Sequence, residues 1–217
     1  MERSAKLWNW LAKRYAAAPV KYEEDYQTKL RVTREYFTPA TEAFEFGCGT
    51  GSTAIRHAPY VKHIHATDYS SAMIEIASSK AAAENIANID FECIGIDAVR
   101  KPDDSVDVVM AHSILHLLPN VEDVIRKVYA MLKPGGAFVT STVCVGNASI
   151  FWRVLLPTLR FLRLAPYIGV FSQAELEAML TEAGFVIDHN WRPARNRAAF
   201  IVTKKPLRDA EGKRSGS

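Results

Sequence analysis

Residues 45–51 read Glu45-Phe46-Gly47-Cys48-Gly49-Thr50-Gly51, a glycine at every second position after a short apolar run. Glycines so spaced let the backbone turn tightly and let a ligand lie against bare main chain, with the amides of a helix N-terminus beyond it. The pattern differs from the G-x-G-x-x-G of dinucleotide-binding folds, because residue 52 is Ser, so NAD and FAD are disfavoured. Asp68 stands 21 positions after Gly47, where an acid accepts hydrogen bonds from the two hydroxyls of a ribose. Tyr69 and Ser70 follow it, and a helix cap by Ser70 would leave the Asp68 carboxylate free for that task. Further on, Asp97-Ala98 offers an acid able to accept from an exocyclic adenine amine, although alone it reads as a turn.

A different chemistry is available in Ala111-His112-Ser113-Ile114-Leu115-His116. The two histidines are four apart and share a face if the stretch is helical. No third ligand accompanies them, so they do not read as a metal site. One of them reads instead as a general base or a substrate-orienting donor, since imidazole titrates near neutral pH; packing with a backbone hydrogen bond is the plainer role for His116.

Strands and helices in alternation must position these groups. Helical periodicity marks Leu7 to Tyr15 and Tyr26 to Tyr36; then strands at Ala43–Phe46, Ile64–Thr67, Ile89–Ile94, Val106–Ala111 and Ala137–Val145 alternate with helices at Ser52–Ala58, from Ser70 or Ser71 to about Asn85, and at Val121–Leu132. Lys133-Pro134-Gly135-Gly136 reads as a helix stop, and Ser172 with Glu175 as a capping box for a helix ending at Gly184. Two closing strands follow at Phe185–Asn190 and Ala198–Thr203. One strand per helix predicts an α/β fold, a doubly wound, mostly parallel sheet with helices on both faces, whose ligands sit outside the carboxyl ends of the strands.

In this order and spacing, Glu45 to Gly51, Ala66-Thr67-Asp68-Tyr69-Ser70 with Met73, Ile96-Asp97-Ala98 and Leu132-Lys133-Pro134-Gly135-Gly136 resemble the class I S-adenosylmethionine-dependent methyltransferases. The likeness runs from about Phe44 to Thr203 and is to the small-molecule branch that includes the ubiquinone and menaquinone biosynthesis enzymes. It implies a Rossmann-like seven-stranded sheet with the last strand antiparallel. It also implies S-adenosylmethionine held by Glu45, Gly47, Gly49, Gly51, Asp68, Tyr69, Ser70, Met73, Asp97, Ala98 and Ala111, with His112 and His116 beside the transferring methyl as candidate catalytic residues. The Asn/Asp-Pro-Pro-Tyr/Phe run of enzymes that methylate amide or adenine nitrogen is absent, as is a Pro-Cys nucleophile. Rival readings are a cofactor-binding regulatory or assembly protein without transferase activity, and an RNA methyltransferase.

Composition bounds the rest. With 217 residues, 48% apolar and 24% charged, the chain fits one globular domain over residues 1–206, with residues 1–40 as a helical lid and 207–217 as a flexible tail. The net charge of +3 is uneven, because residues 192–217 carry eight Lys/Arg against two acids and leave residues 1–191 at −3. A basic tail rather than a basic folded face argues against nucleic acid as the partner. Cys48, Cys93 and Cys144 are odd in number and far apart, which suggests a reducing, cytoplasmic setting. Residues 149–171, the expected insertion over the active site, are apolar except for Arg153, Arg160 and Arg163, which fall within about 80° on a helix of about 100° per residue. Such a stretch suits closure over an apolar, lipid-like acceptor or peripheral contact with a membrane surface.

Overall fold

The computed structural model describes residues 2–144, 167–194 and 197–208. Two helices, α1 (Glu2–Ala17) and α2 (Glu23–Arg34), precede β1 (Glu42–Phe46), α3 (Ser52–His57), β2 (His63–Asp68), α4 (Ser71–Ala83), β3 (Ile89–Cys93), β4 (Val106–His112), α5 (Val121–Met131) and β5 (Leu132–Thr142). After the break come α6 (Gln173–Glu182), β6 (Val186–Trp191) and β7 (Ala199–Lys204). The strands form one seven-stranded sheet in the order β3-β2-β1-β4-β5-β7-β6. Strands β1 to β5 pair in parallel, and β7 runs antiparallel to both β5 and β6. The doubly wound architecture read from alternation is therefore present, with its antiparallel closing strand.

Side-chain alternation along the central strands divides the core into two layers. Phe44 and Phe46 of β1 join Val109, Phe138, Ile125 and Leu176 on the face covered by α5 and α6. Ala43, Ile64, Val108, Met110 and Phe200 pack with Val32 and Ala54 on the face covered by α2 and α3. Glu45 stands between Phe44 and Phe46 in sequence and so shares the α2/α3 face, where it is 1% exposed. Helix α5 is bound by a stripe of Val121, Val124, Ile125, Val128 and Met131, the spacing of one apolar face of a helix. Both polar caps read from sequence form: the Ser70 hydroxyl accepts from the Met73 amide, and Ser172 and Glu175 complete a capping box.

One expected boundary differs. Lys133 to Gly136 is not a loop ahead of a strand at Ala137: β5 begins at Leu132, which pairs with Val106 across a register shift. Gly135, at φ 82°, makes the irregular step, and the Gly135 amide donates to the Lys205 carbonyl at 2.8 Å while the Gly136 carbonyl accepts from the Lys205 amide at 2.9 Å. The glycines that stop α5 thus also extend the sheet, because a bulge keeps their backbone paired. Residues 145–166, which hold most of the expected insertion with its three arginines, and residues 209–217 lie outside the described residues. Among the described residues no helix is long and apolar enough to cross a membrane.

Candidate functional site

The glycine loop sits where β1 ends, and its three glycines have different duties. All three have positive φ, between 54° and 72°. A Cβ on Gly47 would lie 2.6 Å from Cγ1 of Ile114, and one on Gly51 would lie 2.8 Å from Cβ of Ala77, so packing excludes side chains at both positions. Gly49 opens onto space, its nearest neighbour being the Tyr15 ring of α1, at 3.9 Å from a Cβ there. The loop is pinned from below by the Cys48 amide donating to the Thr67 carbonyl at 3.0 Å. From the side, Lys80 of α4 donates to the Thr50 hydroxyl at 3.0 Å and to the Ser52 hydroxyl at 3.1 Å.

Asp68 ends β2 beside this loop. The expectation that a Ser70 cap leaves its carboxylate free is corrected by the structure: Oδ2 accepts from the Gly49 amide at 3.0 Å and Oδ1 from the Ser70 amide at 2.8 Å. Each oxygen keeps a second lone pair for a ligand hydroxyl, so a shared role replaces a free one. Burial pushes the Asp68 pKa up against the downward pull of these two amides. Helix α1 closes over the same corner, where the Ser70 hydroxyl donates to Oδ1 of Asn9 at 2.6 Å. Met73 is buried beneath, and Tyr69 is half-buried at the turn.

Asp97 and Ala98 are exposed in the loop after β3. That loop is fastened by Lys127 of α5, which donates to the carbonyls of Ile96 at 2.6 Å and Val99 at 2.7 Å, and by Asn120, which donates to Oδ1 of Asp97 at 2.9 Å. Ala111 is wholly buried within β4.

A cavity of about 530 Å³ lies under α1 and α2, running from Glu45, Gly47 and Gly49 to His112 and Ser141 at the ends of β4 and β5. Asp68, Asp97, Ala98 and His116 do not line it, so the expected cofactor residues divide between this cavity and the ledge beyond the glycine loop. Glu45 is buried, and among the described residues its Oε2 has no partner; burial, reinforced by the Asp68 charge, pushes its pKa up to about 8. Among the described residues Nε2 of His112 is likewise without a partner; burial and then the Lys29 charge push its pKa down to about 4.

His112 and His116 do not share a helical face. His112 is the last residue of β4, Ser113 turns into the left-handed region at φ 57°, and His116 sits in a single 3-10 turn, Leu115–Leu117. The strand runs one residue further than its apolar run, because the His112 position still pairs with Ser141 of β5. His116 uses its carbonyl to accept from Gly169 at 2.7 Å, and burial lowers its pKa.

The rest of the cavity was not read from sequence. Lys29 donates to the Ser141 hydroxyl at 2.8 Å, Arg197 pairs with Asp25 at 2.8 Å, and the Arg197 guanidinium stacks 3.0 Å from the Tyr22 ring centre. His57, at the end of α3, has both ring nitrogens unpartnered among the described residues and a pKa pushed down to about 3, by burial first and then by His112 and Arg34. These residues come from α2, α3, β5 and the approach to β7, and no spacing rule links them. Only the polar positions on the otherwise packed faces of α2 and α3 gave a signal.

Residues 43–136 match a family model described as a methyltransferase domain. An uncharacterized methyltransferase, YcgJ of Bacillus subtilis, is 32% identical over 95 residues, covering 44% of this chain and 38% of that protein. A ubiquinone biosynthesis O-methyltransferase of Neisseria meningitidis is 28% identical over 150 residues, covering 64% of this chain and 61% of its own length. The chain thus spans less than two thirds of the curated relatives it matches. The crystal structure of YcgJ superposes with a TM-score of 0.70 at 18% identity over 86% of this chain and all of that one. The [4+2]-cyclase SpnF superposes at 0.71 and 19% identity, over 88% of this chain and 85% of that one, a likeness of fold alone. Residues 43–136, which hold the glycine loop and the acid closing β2, are thus similar to a methyltransferase domain, and the strand order gives the chain the same fold as these solved structures.

Proposed function

We propose that this chain moves a methyl group from S-adenosylmethionine to a small, apolar or lipid-like acceptor by direct in-line displacement. The observation that carries the reading is the continuity of one cavity from the glycine loop to His112 and Ser141, at the carboxyl edge where doubly wound sheets bind ligands. Its volume of about 530 Å³ falls within the range of small-molecule sites.

The residues present fit the cofactor. Oε2 of Glu45 is buried in the cavity wall without a partner, and an ammonium placed there would satisfy it. Glu45 and the Gly47–Gly49 backbone would hold the amino-acid end, Asp68 with Tyr69, Ser70 and Met73 the ribose region, and Asp97-Ala98 the adenine. When bound, S-adenosylmethionine supplies a sulfonium-activated methyl.

What remains for the protein is alignment and exclusion of water. Tyr15 and α1 close over Gly49, while α2 roofs the acceptor end. His112, with a pKa near 4, is neutral at physiological pH and is a weak base, so its unpartnered Nε2 serves to orient the acceptor by a hydrogen bond. Residues 149–171, apolar with three arginines, would meet the acceptor body or a membrane surface. Ubiquinone biosynthesis O-methyltransferases among the relatives support a small acceptor.

The test is incubation of the protein with isotope-labelled S-adenosylmethionine and a crude lipid and metabolite extract, followed by mass spectrometry. The expected result is a labelled small molecule heavier by one CH₂ unit. Tight cofactor binding with no labelled product would favour a regulatory cofactor binder instead.

A further inference from the structure

The acceptor end of the cavity holds more positive than negative charge. Of its charged side chains, Asp25 and Arg197 satisfy each other at 2.8 Å and are only 21% and 26% exposed. Lys29 is different: its ammonium donates to the neutral Ser141 hydroxyl, and among the described residues no carboxylate lies within ion-pair distance of it. Its other neighbours at this end, His57 and His112, are held neutral, so they neither balance nor share its charge. Glu45, at the opposite end, is itself held protonated by burial. An ammonium with a lone hydroxyl partner, drawn out of water and only partly offset by the charge of Asp25, which Arg197 already pairs, is a costly feature in a cavity that a methionine would line at lower cost.

Resting on the methyl-transfer reading above, we propose that Lys29 and the Ser141 hydroxyl form the anchor for a carboxylate on the acceptor. A single buried ammonium with one hydroxyl matches a monoanion: Arg197 is not free to add a second charge for a phosphate dianion because Asp25 holds it, and Lys21, the other cation of the lining, is exposed and lies 5.3 Å from the Tyr22 ring centre. An oxygen paired to an ammonium is a poorer nucleophile, so the anchored carboxylate and the methylated atom are different groups. His112 stands across from Ser141 on the neighbouring strand, which puts the group that orients the methylated atom next to the anchor. Tyr22, Tyr26, Leu30 and Val143 also line the cavity, so an amphiphilic acid with an apolar body fits it. Burial lowers the Lys29 pKa, the Asp25 charge opposes it in part and the Arg197 charge adds to it, and an incoming carboxylate would act against that net lowering.

The experiment uses the whole chain loaded with S-adenosylhomocysteine and reads binding of three probes by calorimetry: 4-hydroxybenzoate, its methyl ester and 4-hydroxyphenyl phosphate. The carboxylate is expected to bind about tenfold or more tightly than the ester and more tightly than the phosphate. Lys29→Met should erase the acid-to-ester ratio while leaving S-adenosylhomocysteine affinity unchanged; Lys29→Arg should retain most of it, and Ser141→Ala should reduce it by about threefold to tenfold. A ratio near one in the wild type, a ratio that survives Lys29→Met, or a preference for phosphate overturns the anchor. Absence of S-adenosylhomocysteine binding to the wild type would instead remove the methyl-transfer reading, and is measured separately.

Discussion

Asp68 and Gly49 are joined by a 3.0 Å hydrogen bond from the glycine amide to the carboxylate, so the acid proposed to hold the ribose also holds the glycine loop. A second amide, that of Ser70, donates to the other oxygen at 2.8 Å. Replacement by alanine therefore strands two amides near a buried turn. Asp68→Ala should cost about 2–6 kcal/mol of stability, at roughly 1–3 kcal/mol for each of the two amides left unsatisfied. Asp68→Asn should cost less, because one carbonyl oxygen is kept, yet cofactor affinity should fall about tenfold or more in both. Urea unfolding and calorimetry on the two variants separate the roles; an alanine variant as stable as wild type would remove the structural one.

Glu45 sets a pH dependence on cofactor binding. Its pKa of about 8 in the free protein means that it is protonated at neutral pH, and pairing with an ammonium requires that proton to leave. Affinity should rise with pH by up to about tenfold per unit until pH approaches about 8, then level. Calorimetry in buffers of different ionisation enthalpy should report release of close to one proton at neutral pH. Glu45→Gln should flatten the profile. The sign for folding is the opposite: with its pKa raised above the ordinary 4.5, Glu45 contributes stability below that value which is lost as pH climbs towards 8, so Glu45→Gln should stabilise the ligand-free protein at alkaline pH.

His57 and His112 weaken the fold in acid. Both are depressed from 6.5, to about 3 and about 4 respectively, so the folded state binds fewer protons than the unfolded chain. Their contribution is complete above the ordinary value and is lost as pH falls from there towards the folded values. Each should add up to about 1.4 kcal/mol per pH unit to the slope of stability in that window. Thermal unfolding across the range should show the decline, and His57→Leu should remove about half of it.

The two histidines of the β4 exit should separate in kinetics. His112→Ala is expected to lower turnover by roughly 10–100-fold through lost alignment, less than removal of a true general base would, with little change in cofactor affinity. His116→Ala should leave turnover within about threefold of wild type, because that ring lies outside the cavity. Equal losses in both variants would reverse the assignment.

Lys127 positions the loop that carries Asp97. Its ammonium binds the carbonyls of Ile96, Asp97 and Val99, so Lys127→Met should loosen that loop and weaken cofactor binding by about tenfold while the KM for the acceptor stays constant. Amide hydrogen exchange confined to residues 95–99 would locate the effect.

The sequence by itself determined the order of strands and helices, the glycine loop with an acid before it, the acid that ends β2, and the caps at Ser70 and Ser172. Each depends on groups within a few residues of one another, where backbone geometry and hydrogen bonding are local. Periodicity likewise marked which face of α5 is buried. Tertiary structure alone decided the far end of the cavity: Lys29 of α2, His57 of α3, Ser141 of β5 and Arg197 from the stretch before β7 are brought together, and no local rule records which polar positions on packed faces will converge. It also decided the charge states, since burial moves Glu45 up and His112 down, and burial is a property of the assembled layers. A left-handed residue at Ser113 separated two histidines that would share a face only in a helix, because the pairing of β4 with β5 outlasts the apolar run that announced it.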